Sequence, residues 1–324
     1  MKTKKILCLF LTLSLLLLCA CVEEYPEPVF DPESVKEEEK VKVGVEDVGG
    51  IHYVLYNDMT CHVSELEEEN LPSLSLVIPS YYVDYKVVAI EDQVFRGADL
   101  MSVSLPDTIK TIGHRAFQKS TIEKINLPDS LEEIGEECFD NCQNLKEIKI
   151  GKNLKEIPFG AFAGCRNLER VTLSEGVEII GEEAFSSLSA LESLTLPESL
   201  REIGPYAFFA TGTEELEIKI PQGVQKIGKD AFRGTAFLKG QTDEFVIVGD
   251  GILLSYNGNG KSVSLPEEVK YLSNAFDKSP VESLTLPSSL TGICPDAFLD
   301  AKVKSLSYSG ENKEILSLIN DFSK

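Results

Sequence analysis

The chain has no tryptophan, three methionines and three histidines in 324 residues. It is short of positive charge, with 31 Lys and Arg against 53 Asp and Glu and a formal net charge of -22. That balance excludes a broad basic face of the kind that holds nucleic acid or anionic lipid. Long apolar runs are missing too, apart from Ile6 to Ala20, and fifteen residues fall short of the roughly 20 that span a bilayer. With only His52, His62 and His114, no histidine pair stands at metal-ligand spacing. There is no nucleophile elbow and no Gly-rich phosphate loop. Paired acids such as Glu132-Glu133 and Glu182-Glu183 fall in the repeat turns and read as solvated faces, not as an acid and a base. The expectation is a protein that is not an enzyme and has no cofactor and no metal site.

What is present begins with a leader. A basic start, with Lys2, Lys4 and Lys5, precedes the apolar run, and residues 1–20 read as a secretory signal peptide. Its end, Leu18-Cys19-Ala20-Cys21, resembles the lipobox of bacterial lipoproteins. The resemblance implies cleavage before Cys21, lipidation of that residue and attachment to the outer membrane. Loss of residues 1–20 removes three lysines and no acids, so the mature charge is 28 minus 53, or -25. Residues 21–48 carry Glu23, Glu24, Pro26, Pro28, Pro32, Glu38 and Glu39 with few apolar side chains, and are expected to form an acidic flexible tether. Acidic residues soon after the lipidated cysteine also resemble surface-export signals of Bacteroides-group lipoproteins. That implies the cell surface, with the N-terminal lipid as the one membrane contact.

Beyond the tether one signal dominates. Phe95, Phe117, Phe139, Phe162, Phe185, Phe208, Phe232, Phe276 and Phe298 follow one another at steps of 22, 22, 23, 23, 23, 24, 44 and 22. A small residue precedes nearly all of them, as in Ala116, Cys138, Ala161 and Ala184. Self-similarity at 20–29 residues is the signature of a leucine-rich-repeat solenoid. Upstream of each Phe lies a short alternating segment such as Leu191-Glu-Ser-Leu194-Thr-Leu196, the period-two pattern of a half-buried strand. Equivalent strands are predicted to end at Leu105, Leu127, Ile150, Leu173, Leu196, Ile220, Leu265 and Leu286, most of them followed by proline. Parallel stacking at about 4.8 Å gives a sheet roughly 40–50 Å long. The predicted fold is mainly β, with parallel strands on one face, irregular turns on the other and a short C-terminal helix. Gly113, Gly135, Gly181, Gly204 and Gly228 are expected to allow the turn before each small-Phe pair.

The repeat Leu-Pro-x-Ser-Leu-x-x-Ile-Gly-x-x-Ala-Phe-x-x-Cys-x-x-Leu resembles the BspA-type leucine-rich repeats of bacterial surface proteins. Residues 128–145 match it almost throughout, with Cys138 in place of Ala, and the resemblance covers about 50–310. It implies a secreted or surface-attached protein, and adhesion to host or microbial proteins as in several family members.

A solenoid needs capped ends. Residues 49–80 are expected to form an N-terminal β cap, residues 81–310 the repeats, and 311–324 a helical cap with Ile315, Leu316, Ile319 and Phe322 at helical spacing. The step of 44 contains Phe245–Val248, Gly249-Asp250-Gly251 and Ile252–Tyr256, which predicts a hairpin-like insert within 238–262. Cys142 and Cys165 each stand three residues after a repeat Phe, where other repeats carry Ala, Ser or Thr. Parallel side chains on adjacent rungs suit a disulfide torsion poorly, so buried thiols are expected, with a disulfide as the alternative.

The outward strand positions form the candidate binding face: Lys124, Asn126, Glu147, Lys149, Arg170, Thr172, Ser193, Thr195, Glu217 and Lys219. None is aromatic, and Arg170 alone belongs to the residue types that dominate protein hot spots. The expected function is a monomeric, non-enzymatic, membrane-anchored surface protein that binds a host or microbial protein through the sheet or the insert. The alternative is a glycan-binding or structural envelope lipoprotein in a larger assembly, against which the missing aromatics weigh.

Overall fold

The structure is a computed structural model that describes residues 40–67 and 74–322. The leader, Cys21 and the tether up to residue 39 lie outside the described residues. The chain from Lys40 onward is one compact unit, a parallel β-solenoid.

Each turn of the solenoid closes with three layers of bonds to the next. The first layer is the strand foreseen from alternation. Arg170–Leu173 buries Val171 and Leu173 and exposes Arg170 and Thr172. Three such strands form each of three sheets: Ser75–Val77, Ser102–Ser104 and Lys124–Asn126; Glu147–Ile150, Arg170–Leu173 and Ser193–Thr195; Ser262–Ser264, Ser283–Leu286 and Ser305–Tyr308. The face is therefore not the single long sheet expected. Its ladder stops between Asn126 and Glu147 and again after Thr195.

The second layer corrects the expected irregular turns. Two-residue segments such as Glu156–Ile157, Ile179–Ile180, Glu202–Ile203 and Lys226–Ile227 pair in parallel as a ladder of their own. Each buries its second residue, an isoleucine, and turns the first side chain outward, Ile179 included. Closed rungs leave few backbone groups facing water, so these segments satisfy one another.

The third layer runs beside the aromatic stack. From Phe95 to Phe208 the N–H of each repeat Phe donates to the carbonyl of the small residue one rung on, as Phe117 to Cys138 at 2.8 Å, Phe139 to Ala161 at 2.8 Å and Phe162 to Ala184 at 2.9 Å. The rings of Phe95 to Phe232 stack face to face with centroids 4.8–5.6 Å apart. All seven are buried in one core cluster.

The repeat glycines serve this stacking differently from the expectation. A Cβ added at Gly135, Gly181, Gly204 or Gly228 would lie within 3.0 Å of the backbone of the preceding rung. Close approach of rungs, not turn conformation, requires glycine there. The left-handed turn falls two residues later, on Arg115, Glu137, Glu183, Tyr206 and Asp230 at φ 53–54°.

The ends differ from expectation at one side. Lys42–Val48, assigned to the tether, is a strand antiparallel to Ile51–Tyr56. Composition explains it: after Lys40 the chain turns from Glu and Pro to alternating valines, Val41, Val43, Val45 and Val48. Ser75–Val77, expected in the cap, pairs with Ser102–Ser104 and is the first rung of the face. At the other end, Lys313–Phe322 is a helix inside the 311–324 interval expected for it. Asn312 caps it, its Oδ1 accepting from the Glu314 and Ile315 N–H groups at 3.0 and 3.4 Å. Ile315 is buried in the last core cluster.

The hairpin over Phe245–Val248 and Ile252–Tyr256 forms as expected. It is no appendage, because Ile252–Tyr256 continues in parallel to Tyr271–Leu272 and opens a further second-layer ladder. Tyr256 stands in the aromatic stack where the skipped Phe would be, 5.5 Å from Phe276. A four-residue helix, Ala236–Lys239, precedes the hairpin.

Candidate binding face

Register decides which outward side chains meet. Glu147, Arg170 and Ser193 lie opposite one another on adjacent strands, and so do Lys149, Thr172 and Thr195. All six are exposed. Cross-strand partners on one face of a ladder lie about 5 Å apart, within reach of one ligand. Lys124 and Asn126 are exposed on a different sheet, opposite Ser102 and Ser104. They are not in ladder register with Glu147 and Lys149.

Glu217 and Lys219 are exposed, but 217–219 is not a strand. The step from Phe208 to Phe232 is 24 residues, one longer than the three before it. The face strand is the element that gives way. A cavity of about 430 Å³ opens there, lined by Thr195, Glu198, Glu217, Lys219 and Gln222 among others. Sequence alternation placed the two residues on the face correctly and their pairing incorrectly.

Arg170 is the one hot-spot type in the columns, and it is occupied. Its Nη2 donates to Glu147 Oε2 at 3.0 Å and its Nη1 to Glu169 Oε2 at 3.4 Å. The hydrogen bond to Glu147, then its charge, raises the guanidinium pKa further. Both side chains are about half exposed, so the pair adds little to stability. It fixes two charges in place on an otherwise hydroxyl-rich surface. Similar inter-rung pairs flank the face: Glu282 accepts from Lys304 at 2.7 Å and faces Lys261 at 3.3 Å, and these two hold its carboxyl below the usual range.

Among the described residues, Cys61, Cys138, Cys142, Cys165 and Cys294 are buried free thiols. Cys142 Sγ donates to the Phe117 carbonyl and Cys165 Sγ to the Phe139 carbonyl, each at 3.0 Å. Thr211 Oγ1 makes the same bond to Phe185 at 2.5 Å. Cys142, Cys165 and Thr211 thus share one bond to the preceding rung, although Ala98 and Ala301 stand at the same place with no donor, so the position requires small size and not a donor. Burial pushes the thiols of Cys138 and Cys165 well up, so neither is a nucleophile.

A second polar site lies at the N-terminal cap, and sequence spacing gave no sign of it. His62, Glu91, Asp92, His114 and Glu133 line a cavity of about 620 Å³. Tyr56 Oη donates to Glu91 Oε1 at 3.3 Å, and His62 Nδ1 lies 3.3 Å from the same oxygen. Lys40 Nζ sits 4.4 Å above the Tyr56 ring and 3.1 Å from His62 Nε2. Burial first, and then Lys40, lower the His62 pKa. The three histidines thus all sit among carboxylates or at rung turns. No catalytic constellation of nucleophile, base and orienting group is found among the described residues.

Comparison with known proteins fits this architecture. The model of the BspA type leucine rich repeat region matches residues 88–214 and 209–319 in six copies.

The chain belongs to the BspA-type leucine-rich-repeat family.

Two solved structures resemble this family member over most of its length. A leucine rich cell surface protein from Faecalibacterium prausnitzii is 26% identical, with TM-score 0.57, and the match covers 83% of this chain and 77% of that one. The pneumococcal vaccine antigen PcpA is 27% identical, with TM-score 0.50, covering 82% and 71%. No curated protein sequence matches the chain.

Proposed function

We propose that this BspA-type repeat protein is a non-enzymatic binding protein of the bacterial cell surface, anchored by a lipid on Cys21. It takes a protein partner on the sheet from Glu147 to Thr195. The observation that carries this reading is the alignment of Glu147, Arg170 and Ser193, and of Lys149, Thr172 and Thr195, on one exposed ladder. A scaffold of bonded rungs holds the backbone that carries these six side chains in fixed register, so a partner meets a preformed face. The kinship to a cell surface protein supports the location, and the lipobox-like end of the leader supports the anchor.

The polar, aromatic-free columns favour a hydrogen-bonded protein surface over sugar-ring stacking. Binding of the full chain to a panel of extracellular-matrix and microbial surface proteins, beside a glycan array, tests the partner class. Capture on the protein panel that falls at least tenfold in the Lys149→Ala/Arg170→Ala variant is expected. Binding confined to glycans would favour the glycan-binding envelope lipoprotein instead. Protease shaving of intact cells tests the location: the protein is expected to be cut, and full protection would contradict surface display.

A further inference from the structure

Three strands of the N-terminal cap bring together side chains that the sequence keeps apart. Asp47 and His52 are cross-strand partners in the hairpin formed by Lys42–Val48 and Ile51–Tyr56. Gly49 and Gly50, at φ 61° and 81°, make the two-residue turn that sets this register. Glu67 follows the neighbouring strand Thr60–Leu66, and its N–H donates to the Gly50 carbonyl at 2.7 Å. The turn thus fastens all three residues to one patch.

One donor atom from each of Asp47, His52 and Glu67 lies within 4.8 Å of the others. His52 Nε2 is 3.2 Å from Glu67 Oε1 and 3.7 Å from Asp47 Oδ2. That nitrogen is shielded from solvent, and neither carboxylate meets it with hydrogen-bond geometry. A buried polar atom without a bond calls for an explanation. Ligands about 2.0–2.2 Å from a tetrahedral ion stand about 3.4 Å apart, close to the two spacings found.

We propose that Asp47, His52 and Glu67 form a binding site for a first-row divalent transition ion of the zinc class. Neutral His52 supplies the Nε2 lone pair, and each carboxylate supplies one oxygen. An imidazole with two carboxylates suits such an ion, whereas calcium and magnesium favour all-oxygen sets. Three protein ligands leave a fourth position to water or to an incoming donor group. The opposing account is a plain ion pair, in which protonated His52 bridges the two acids and no metal binds.

Calorimetric titration of Zn²⁺ into the chelator-treated full chain near neutral pH separates the two. One equivalent is expected to bind, with a matching visible absorption band for Co²⁺. His52→Ala, Asp47→Asn and Glu67→Gln should each weaken binding by roughly 10–100-fold, on the scale of ligand-support losses in metal sites. His62→Ala and His114→Ala should leave it unchanged. Zn²⁺ should raise the melting temperature of the parent and of those two controls, not of the His52 variant. Should His52→Ala fail to fold, the two isosteric carboxylate variants carry the test. No binding at millimolar Zn²⁺, or binding unchanged in all three site variants, overturns the proposal.

Discussion

From Phe95 to Phe232 the rings of successive rungs tilt by at most 18°. From the hairpin onward, Phe245, Tyr256 and Phe276 meet at 41° and 39°. The core divides at the same place, for Leu254 packs in the first hydrophobic cluster and its neighbour Leu253 in the second. The first region repeats one rung geometry with little change. The second must absorb a hairpin, a tyrosine in place of a phenylalanine and a terminal helix. In a solenoid each rung is stabilised by its neighbours alone, so a break in stacking is also a break in cooperativity. The regular region is the stiff scaffold that presents the Glu147–Thr195 ladder, and the region from the hairpin onward is the weaker part.

The largest expected effect falls in the middle of the stack. Phe185→Ala should cost roughly 3–5 kcal/mol by chemical denaturation, whereas Phe298→Ala, at a half-buried ring, should cost roughly 1–2 kcal/mol. Equal costs would remove the distinction between the two regions. Gly204→Ala comes next, at about 1–3 kcal/mol, because its Cβ would press on the backbone of the Glu182 rung. A neutral Gly204→Ala would show that turn flexibility, not close approach, sets that position. Asn312→Ala should remove about 1 kcal/mol by uncapping the last helix, with faster amide exchange confined to residues after the hairpin.

The smallest effects belong to exposed charges. Arg170→Ala and Lys149→Ala should each change stability by no more than about 0.5 kcal/mol while reducing partner capture. The Glu137 carboxyl is held below its usual 4.5 by the Arg115 hydrogen bond first, with Arg115's charge and Gln118 adding to it. A lowered folded pKa contributes stability above 4.5 that is lost as pH falls through the folded value. Glu137→Gln should therefore lower the melting temperature at neutral pH and narrow its gap to the parent in acid. An unchanged gap would show that the pair is inert.

The sequence carried the repeat period, the buried phenylalanines, the hairpin and the cap helix, because each depends on local pattern. It also placed the outward columns, since alternation fixes which side of a strand a residue takes. It could not show that 217–219 leave the ladder, because a rung longer by one residue changes pairing without changing alternation. Nor did it show the second ladder, whose strands are two residues long and below any periodic signal. Composition extends the tether past Lys40 because the acidic Glu46 and Asp47 obscure the valines among them, which form the strand Lys42–Val48. Asp47, His52 and Glu67 were invisible as a group, since hairpin register and not spacing joins them.

Hydrogen exchange of the full chain at increasing sub-denaturing urea tests the central contrast most directly. Residues 245–322 should open first as one unit, while the amides of Phe117, Phe139, Phe162 and Phe185 stay protected and open later together. Opening of both regions at one denaturant concentration, or of the Phe95–Phe232 rungs first, would contradict the division at the hairpin.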